Sequence, residues 1–166
     1  MDFSGKMPYR SIQSLYDPIF PKGRDRSYFR SLFLPTLDQR VIEKIVSGLS
    51  ERPSEMTFSS VWYFGDVVRQ VPADATAFGD RSQPWLFSID GIWSRSQDDA
   101  ANIAWVRRLW STVRSYSNGR LYLNFLAGAD GQPDIIRDGI GADTVAIKRK
   151  YDPTNFFRLN QNISPA

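Results

Sequence analysis

Trp85-Leu86-Phe87-Ser88-Ile89-Asp90-Gly91-Ile92-Trp93 is the stretch on which the fold turns. Six of these nine residues are large and apolar, and the run is bounded by Pro84 and Ser94. That length and composition define a strand buried on at least one face. Downstream, Asp98 or Asp99 opens the longest helix, expected over about 98–116, with Ile103, Val106, Leu109, Trp110 and Val113 as its apolar stripe. Asn118-Gly119 is a turn dipeptide, and Arg120 to Phe125 follows as a further strand.

Upstream, Pro72 to Pro84 is a loop, and Met56 to Tyr63 is β-branched and aromatic, hence a strand. Gly65 breaks it, and residues 66–71 are expected to pair back. Asp38 caps a helix carrying Val41, Ile42, Ile45, Val46 and Leu49 at helical spacing. Tyr28 to Leu34 is a strand ended by Pro35. Residues 1–26 form an irregular entry segment, with turns at Asp17-Pro18 and Pro21-Lys22-Gly23. At the other end, a Gly- and Asp-rich loop leads to a last helix that Asp152-Pro153 stops. Short links between strands favour an α+β architecture, an antiparallel sheet with helices packed on one face, over a doubly wound parallel sheet.

Composition removes several chemistries. The 166 residues contain no Cys and no His. That excludes disulfides, thiolates, Ser-His-Asp triads and the commonest metal ligands. No cluster of carboxylates converges in sequence, so no metal site is expected. The 21 basic residues are scattered among 18 acidic ones, for a net charge of +3, which gives no nucleic-acid track. No apolar run reaches the ~18 residues of a membrane span and no signal-peptide core opens the chain, so a cytoplasmic location is the default expectation. Gly139-Ile140-Gly141 is too short for a dinucleotide fingerprint.

General acid–base work is left to Asp, Glu, Lys or Tyr. Asp90 inside an apolar strand is either a working carboxylate or one that faces solvent or holds a turn; the second reading weighs more. Tyr122 and Asn124 lie two apart on the expected strand and would share a face. Periodicity alone favours a core tyrosine.

The C-terminal third changes that weighting. Tyr122-Leu123-Asn124-Phe125, then Lys148-Arg149-Lys150-Tyr151-Asp152-Pro153-Thr154-Asn155-Phe156-Phe157, then Asn162-Ile163-Ser164-Pro165 resembles the closing signature of berberine-bridge-enzyme-like flavoproteins of the vanillyl-alcohol-oxidase superfamily. Val71 to Arg81 resembles the family segment that follows its Gly-Gly hairpin. The likeness runs from about residue 9 onward.

The resemblance implies a substrate-binding lobe over residues 27–166, with 120–166 as the family's C-terminal motif. It implies that a separate FAD-binding domain or subunit, expected to be absent from this chain, holds the FAD. A small organic alcohol or amine would be placed against the flavin for hydride transfer. Tyr122 and Asn124 match the family's Y-x-N pair, which implies contact with flavin or substrate and, for Tyr122, a catalytic role. Ser59, Val61, Phe87 and Ile89, on alternating strand positions, together with Phe125, are expected to line the pocket. Tyr151-Asp152-Pro153 is expected to be structural, with aromatics pinning the C-terminus to the sheet.

The chain also departs from the family pattern. Phe125 stands where many members carry a second tyrosine, Phe64 replaces the first glycine of the hairpin, and strand 57–63 has no acid. The usual Arg-Leu of the last helix is lost near Asp143-Thr144. These changes point away from an oligosaccharide and toward a less polar substrate. A second reading from another class stays open: a non-catalytic binding or assembly module, with a homodimer as one form.

Overall fold

The computed structural model describes residues 5–73, 75–78, 80–126, 144–159 and 161–165. Three strands form one antiparallel sheet in the order β1-β3-β2, with β1 at Arg26–Leu34, β2 at Phe58–Tyr63 and β3 at Trp85–Trp93. The stretch on which the fold turns is the central strand. β1 runs along its whole length, from Arg26 opposite Trp93 to Leu34 opposite Trp85. β2 covers the other side, from Phe58 opposite Asp90 to Tyr63 opposite Trp85.

Helix α2 (Gln39–Ser50) and helix α4 (Asp99–Arg114) pack on one face of the sheet. Strand alternation sends Phe87, Ile89 and Trp93 of β3, and Tyr28, Leu32 and Leu34 of β1, toward them. Val41 and Ile45 of α2 and Trp105, Val106, Leu109, Trp110 and Val113 of α4 close this core. Two glycines set how near the layers come. A Cβ on Gly91 would lie 2.8 Å from Val106 Cγ2 and 3.1 Å from the Tyr28 carbonyl, so β3 can meet α4 only without a side chain there. A Cβ on Gly48 would meet Leu109 Cδ1 at 2.5 Å, and the Gly48 carbonyl accepts the Trp105 indole N–H at 2.9 Å. The fold class is therefore as the sequence predicts.

Polar anchors fix the layers further. The Trp110 indole donates to the Ser31 carbonyl at 3.1 Å. Asp99 receives the Arg26 guanidinium at 2.6 and 2.7 Å and the Trp93 indole at 2.7 Å, tying the start of α4 to the sheet end where Arg26 and Trp93 stand opposite each other. These hydrogen bonds, Arg26 first, hold the Asp99 carboxyl below the ordinary carboxylate range. Asp38 caps α2 through Val41 N at 3.1 Å, as expected.

Several expectations are corrected. Residues 66–71 do not pair back: Asp66–Gln70 is a short helix, α3, carrying an Asp66–Arg69 ion pair. Ile42 and Val46 of the α2 stripe are exposed. Asp98 does not cap α4 with its side chain, which pairs with Arg95 instead. Arg120 to Phe125 is not a strand: the chain runs extended beside β1, with Phe33 N donating to the Arg120 carbonyl at 3.0 Å, then turns into a 3-10 helix at Leu123–Phe125. The Gly- and Asp-rich loop lies outside the described residues.

The entry segment carries helix α1 (Tyr9–Gln13), and its Pro21-Lys22-Gly23 turn closes with Arg24 N on the Pro21 carbonyl at 3.3 Å.

The last helix, α5 (Thr144–Tyr151), ends at Asp152 as expected. Asp152 then reorganises the chain beyond it. Its carboxylate pairs with Lys148 and accepts Phe156 N at 2.7 Å and Phe157 N at 3.0 Å. The hydrogen bond from Lys148 is the main reason this carboxyl is held below its ordinary range. The aromatics here do not pin the C-terminus: Tyr151, Phe156 and Phe157 are exposed, and the two phenylalanines pack edge-to-face on each other. Gln161, donating to the Leu126 carbonyl at 3.0 Å, is the tie back to the rest of the fold.

Candidate active site

The face of the sheet turned away from α2 and α4 is built from the other parity: Phe29, Ser31 and Phe33 of β1, Leu86, Ser88, Asp90 and Ile92 of β3, and Phe58, Ser60 and Trp62 of β2. Helices α2 and α4 lie on the opposite side of the sheet. A cavity of about 450 Å³ opens on this face, within the usual size range of small-molecule sites. The entry segment roofs one side of it with Tyr16, Phe20 and Lys22, and Phe125 bounds the other. Phe20 stacks on Phe58, ring centroids 6.1 Å apart.

Asp90 is the chemically distinctive group of this lining. It sits in register between Phe29 on β1 and Phe58 on β2. Ser88 Oγ donates to it at 2.8 Å, and Ser60 donates as well. Burial between the rings pushes its carboxyl up to about 6, although both hydroxyls act in the opposite direction. A carboxylate near neutrality is suited to taking a proton at physiological pH. The sequence reading gave Asp90 less weight as a working group. The signal that marks it was present: Ser88 and Asp90 are the two polar residues of β3, and they share one parity.

Ser59, Val61, Phe87 and Ile89 lie on the other face of the sheet from this cavity. Phe87 and Ile89 are fully buried in the helix-facing core. Ser59 and Val61 pair with Ile89 and Phe87 and share their face. The residues that do line the cavity are their neighbours Ser60, Trp62, Ser88 and Asp90. The physical reason is that β3 is apolar on both parities, so hydrophobicity did not reveal its direction. Phe125 lines the cavity.

Tyr122 and Asn124 stand beside the cavity rather than in it. Ser31 Oγ accepts from Tyr122 N at 3.0 Å and donates to the Tyr122 carbonyl at 3.1 Å, standing in for a strand partner. The Tyr122 ring packs edge-to-face on Phe125 at 5.2 Å and against Phe78 at 5.7 Å. Asn124 Nδ2 donates to the Tyr122 hydroxyl at 2.7 Å, so the two side chains meet through the 3-10 turn and not by strand alternation.

Among the fifteen lining residues Lys22 is the one cation. Rings, hydroxyls and the carboxylates of Asp25 and Asp90 suit a flat ring system and do not suit a diphosphate, which needs amides and cations. The residues present would fit a wall against the isoalloxazine ring of FAD and would not hold its diphosphate. Among the described residues no group of three acidic side chains is placed to hold a metal ion, and no helix is long and apolar enough to cross a membrane.

The sheet thus has one dry, helix-covered face and one open, ring-lined face. Comparison with known proteins identifies the class. The berberine bridge enzyme of Eschscholzia californica superposes with a TM-score of 0.74 over 93% of this chain and 36% of that one, at 15% identity. An FAD-linked oxidoreductase of Dictyostelium discoideum is 29% identical over 162 residues, covering 96% of this chain and 35% of the relative. Berberine bridge enzyme-like 17 of Arabidopsis thaliana is 30% identical over 134 residues, covering 67% of this chain and 25% of the relative. The family model described as berberine and berberine like matches residues 145–164. The chain belongs to the berberine bridge enzyme-like family of FAD-linked oxidoreductases. It spans about a quarter to a third of the length of these relatives.

Proposed function

We propose that this chain supplies the substrate wall of an FAD-dependent oxidase or dehydrogenase, and that Asp90 is its proton acceptor. The observation that carries the reading is a half-buried carboxylate, pushed up to about 6, on the floor of a ring-lined cavity. Held by a separate FAD-binding domain or subunit, FAD would supply the acceptor for the hydride leaving the substrate carbon. Asp90 takes the proton from the alcohol oxygen or amine nitrogen, so that carbon and heteroatom become doubly bonded. Ser88 and Ser60 hold the carboxylate toward the cavity. Phe29 and Phe58 exclude water from it. Phe125, braced by Tyr122, closes the far wall. In this reading Tyr122 and Asn124 face the flavin-bearing partner, and the cavity takes a small organic molecule.

The test is a chimera in which residues 1–166 replace the matching third of the Dictyostelium relative. The expected product is yellow, and its bound flavin is bleached by an organic alcohol or amine. Asp90→Asn should keep the flavin and slow bleaching by about 10²–10⁴-fold. The rate in the parent should rise with pH through about 6. Flavin reduction by Asp90→Asn at the parent rate would remove Asp90 from the mechanism.

A second reading, a non-catalytic assembly module, draws on β2. Trp62 on the open face and Tyr63 on the other are both exposed, and the outer edge of β2 has no partner strand among the described residues. Sedimentation of the isolated chain as a dimer, with a chimera that binds no flavin, would favour it.

A further inference from the structure

Of the six asparagines in the sequence, Asn118 alone is followed by glycine. That pairing carries chemistry of its own. No side chain shields a glycine amide, so its nitrogen can reach the side-chain carbonyl carbon of the asparagine before it. Asn118-Gly119 lies just beyond the end of α4, and Gly119 has a φ of 80°. The native contacts of this turn oppose that approach. Asn118 Nδ2 donates to the buried carboxylate of Asp80, and Asn118 Oδ1 accepts Arg120 N at 3.0 Å. Gly119 N donates to Ser117 Oγ at 3.0 Å, and that hydroxyl donates to the Arg114 carbonyl at 2.8 Å. The amide that would react is thus held at both of its polar atoms, and the nitrogen that would attack it is engaged by Ser117. Asp80 is fixed in turn, accepting Ser82 N at 2.8 Å. Beyond the turn, the Arg120 carbonyl accepts Phe33 N and the Tyr122 backbone is clasped by Ser31. The turn therefore sets where Tyr122 and the ring packed on it, Phe125, stand beside the cavity.

We propose that Asn118 is a deamidation site gated by local opening of this turn, with Asp80 and Ser117 as its guards. When the turn opens, Gly119 N loses its proton to hydroxide and bonds to Asn118 Cγ. The Cγ–Nδ2 bond breaks and ammonia leaves, which closes a succinimide ring. Water then opens the ring at either carbonyl and leaves aspartate or isoaspartate at 118, with no change of oxidation state. Neither product restores the native turn. A carboxylate at 118 meets the Asp80 carboxylate where a donor stood, two like charges at hydrogen-bond distance. Isoaspartate also lengthens the backbone of the turn by one carbon. A transient opening thereby becomes permanent, and the cavity wall at Phe125 loses its anchor. This chemistry is independent of the oxidase reading.

The 166-residue chain is incubated at mildly alkaline pH, folded and in urea, and then digested with trypsin. The peptide Ser115 to Arg120 holds Asn118 as its single side-chain amide, so its mass gain on losing ammonia and taking up water reports this site alone. Deamidation should be at least about tenfold slower in the folded chain than in urea. Ser117→Ala releases Gly119 N and Asp80→Ala releases Asn118 Nδ2. Each should raise the folded-state rate about threefold or more and leave the rate in urea unchanged. If Asp80→Ala does not fold, Ser117→Ala carries the same expectation. Asn118→Asp reproduces one product directly. Its folded-to-unfolded ratio at neutral pH should fall about tenfold. Hydrogen exchange of the Phe33 and Tyr122 amides should quicken more than that of Ile89 in β3. No mass gain in urea, equal rates in the folded and unfolded chain, a folded-state rate unmoved by Ser117→Ala, or an Asn118→Asp variant as stable as the parent would each overturn the proposal.

Discussion

Phe87 and Ile89 leave β3 on one side, and Ser88 and Asp90 leave it on the other. The first pair is fully buried among tryptophans, leucines and valines of the helix layer. The second pair is hydrogen-bonded to itself and to Ser60, and it borders a cavity. One strand thus carries both the core of the fold and the chemistry of the site, on alternate residues. The lesson concerns cost. The dry face is optimised for packing, so changes there should be read out as lost stability. The open face holds a carboxylate where burial disfavours its charge, so changes there should be read out as lost function and, at one position, as gained stability.

The largest effect that would sharpen this contrast is Phe87→Ala. The ring is fully enclosed, so its removal leaves a cavity as well as losing transfer energy. Denaturant unfolding should show a loss of about 4 kcal/mol. A loss below ~1 kcal/mol would mean that the helix-facing layer is not packed as described.

Asp90→Asn should move the other way. The folded state holds the Asp90 proton up to about 6, against 3.8 for the ordinary group. The folded chain therefore loses stability relative to the unfolded one as pH rises from about 4 through about 6, and the loss is complete above that. Asparagine has no charge to bury. The variant should be more stable than the parent at pH 8, by up to ~3 kcal/mol, and equal to it below about pH 4. Thermal melts across that range check the sign. A variant less stable at pH 8 would show that the carboxylate is well solvated.

Gly91→Ala comes next. The residue lies between Asp90 and Ile92, yet its missing side chain belongs to the dry face, where the new methyl would stand 2.8 Å from Val106 Cγ2. Val106 is fully buried and has no free direction to move. A loss of about 2 kcal/mol is expected in the same unfolding assay. A neutral result would show that α4 sits farther from β3 than the packing implies.

The sequence made these faces legible to different degrees. Long periodic segments carried enough signal: the stripe of α4, the Asp38 cap of α2 and the apolar run of β3 all form the elements expected. The direction of β3 was not legible from hydrophobicity, because Leu86 and Ile92 are as apolar as Phe87 and Ile89. Short stretches failed where local and tertiary preferences compete. Val67 and Val68 read as strand, but Asp66, Arg69 and the Gly65 carbonyl accepting Val68 N at 3.1 Å make one helical turn. Arg120 to Phe125 has strand composition, yet the hydroxyl of Ser31 occupies the backbone groups of Tyr122 that another strand would use. The family signature lies beside the cavity, and register decides which strand residues line it.

Tyr122→Phe is the smallest expected effect, and it probes the border between the two faces. The tyrosine's ring is held by Phe78 and Phe125, and those contacts survive the change. Its hydroxyl accepts one hydrogen bond, from the exposed Asn124. Water can replace that bond, so stability should stay within ~0.5 kcal/mol of the parent. Because the hydroxyl stands outside the cavity lining, flavin bleaching in the chimera should change by less than about threefold, whereas Asp90→Asn acts at the reacting proton. A drop of 100-fold or more with unchanged stability would place the Tyr122 hydroxyl on the substrate, about 2.7 kcal/mol of transition-state stabilisation. The chemistry of the open face would then be divided between β3 and the turn that follows Tyr122, and Asp90 would no longer account for it alone.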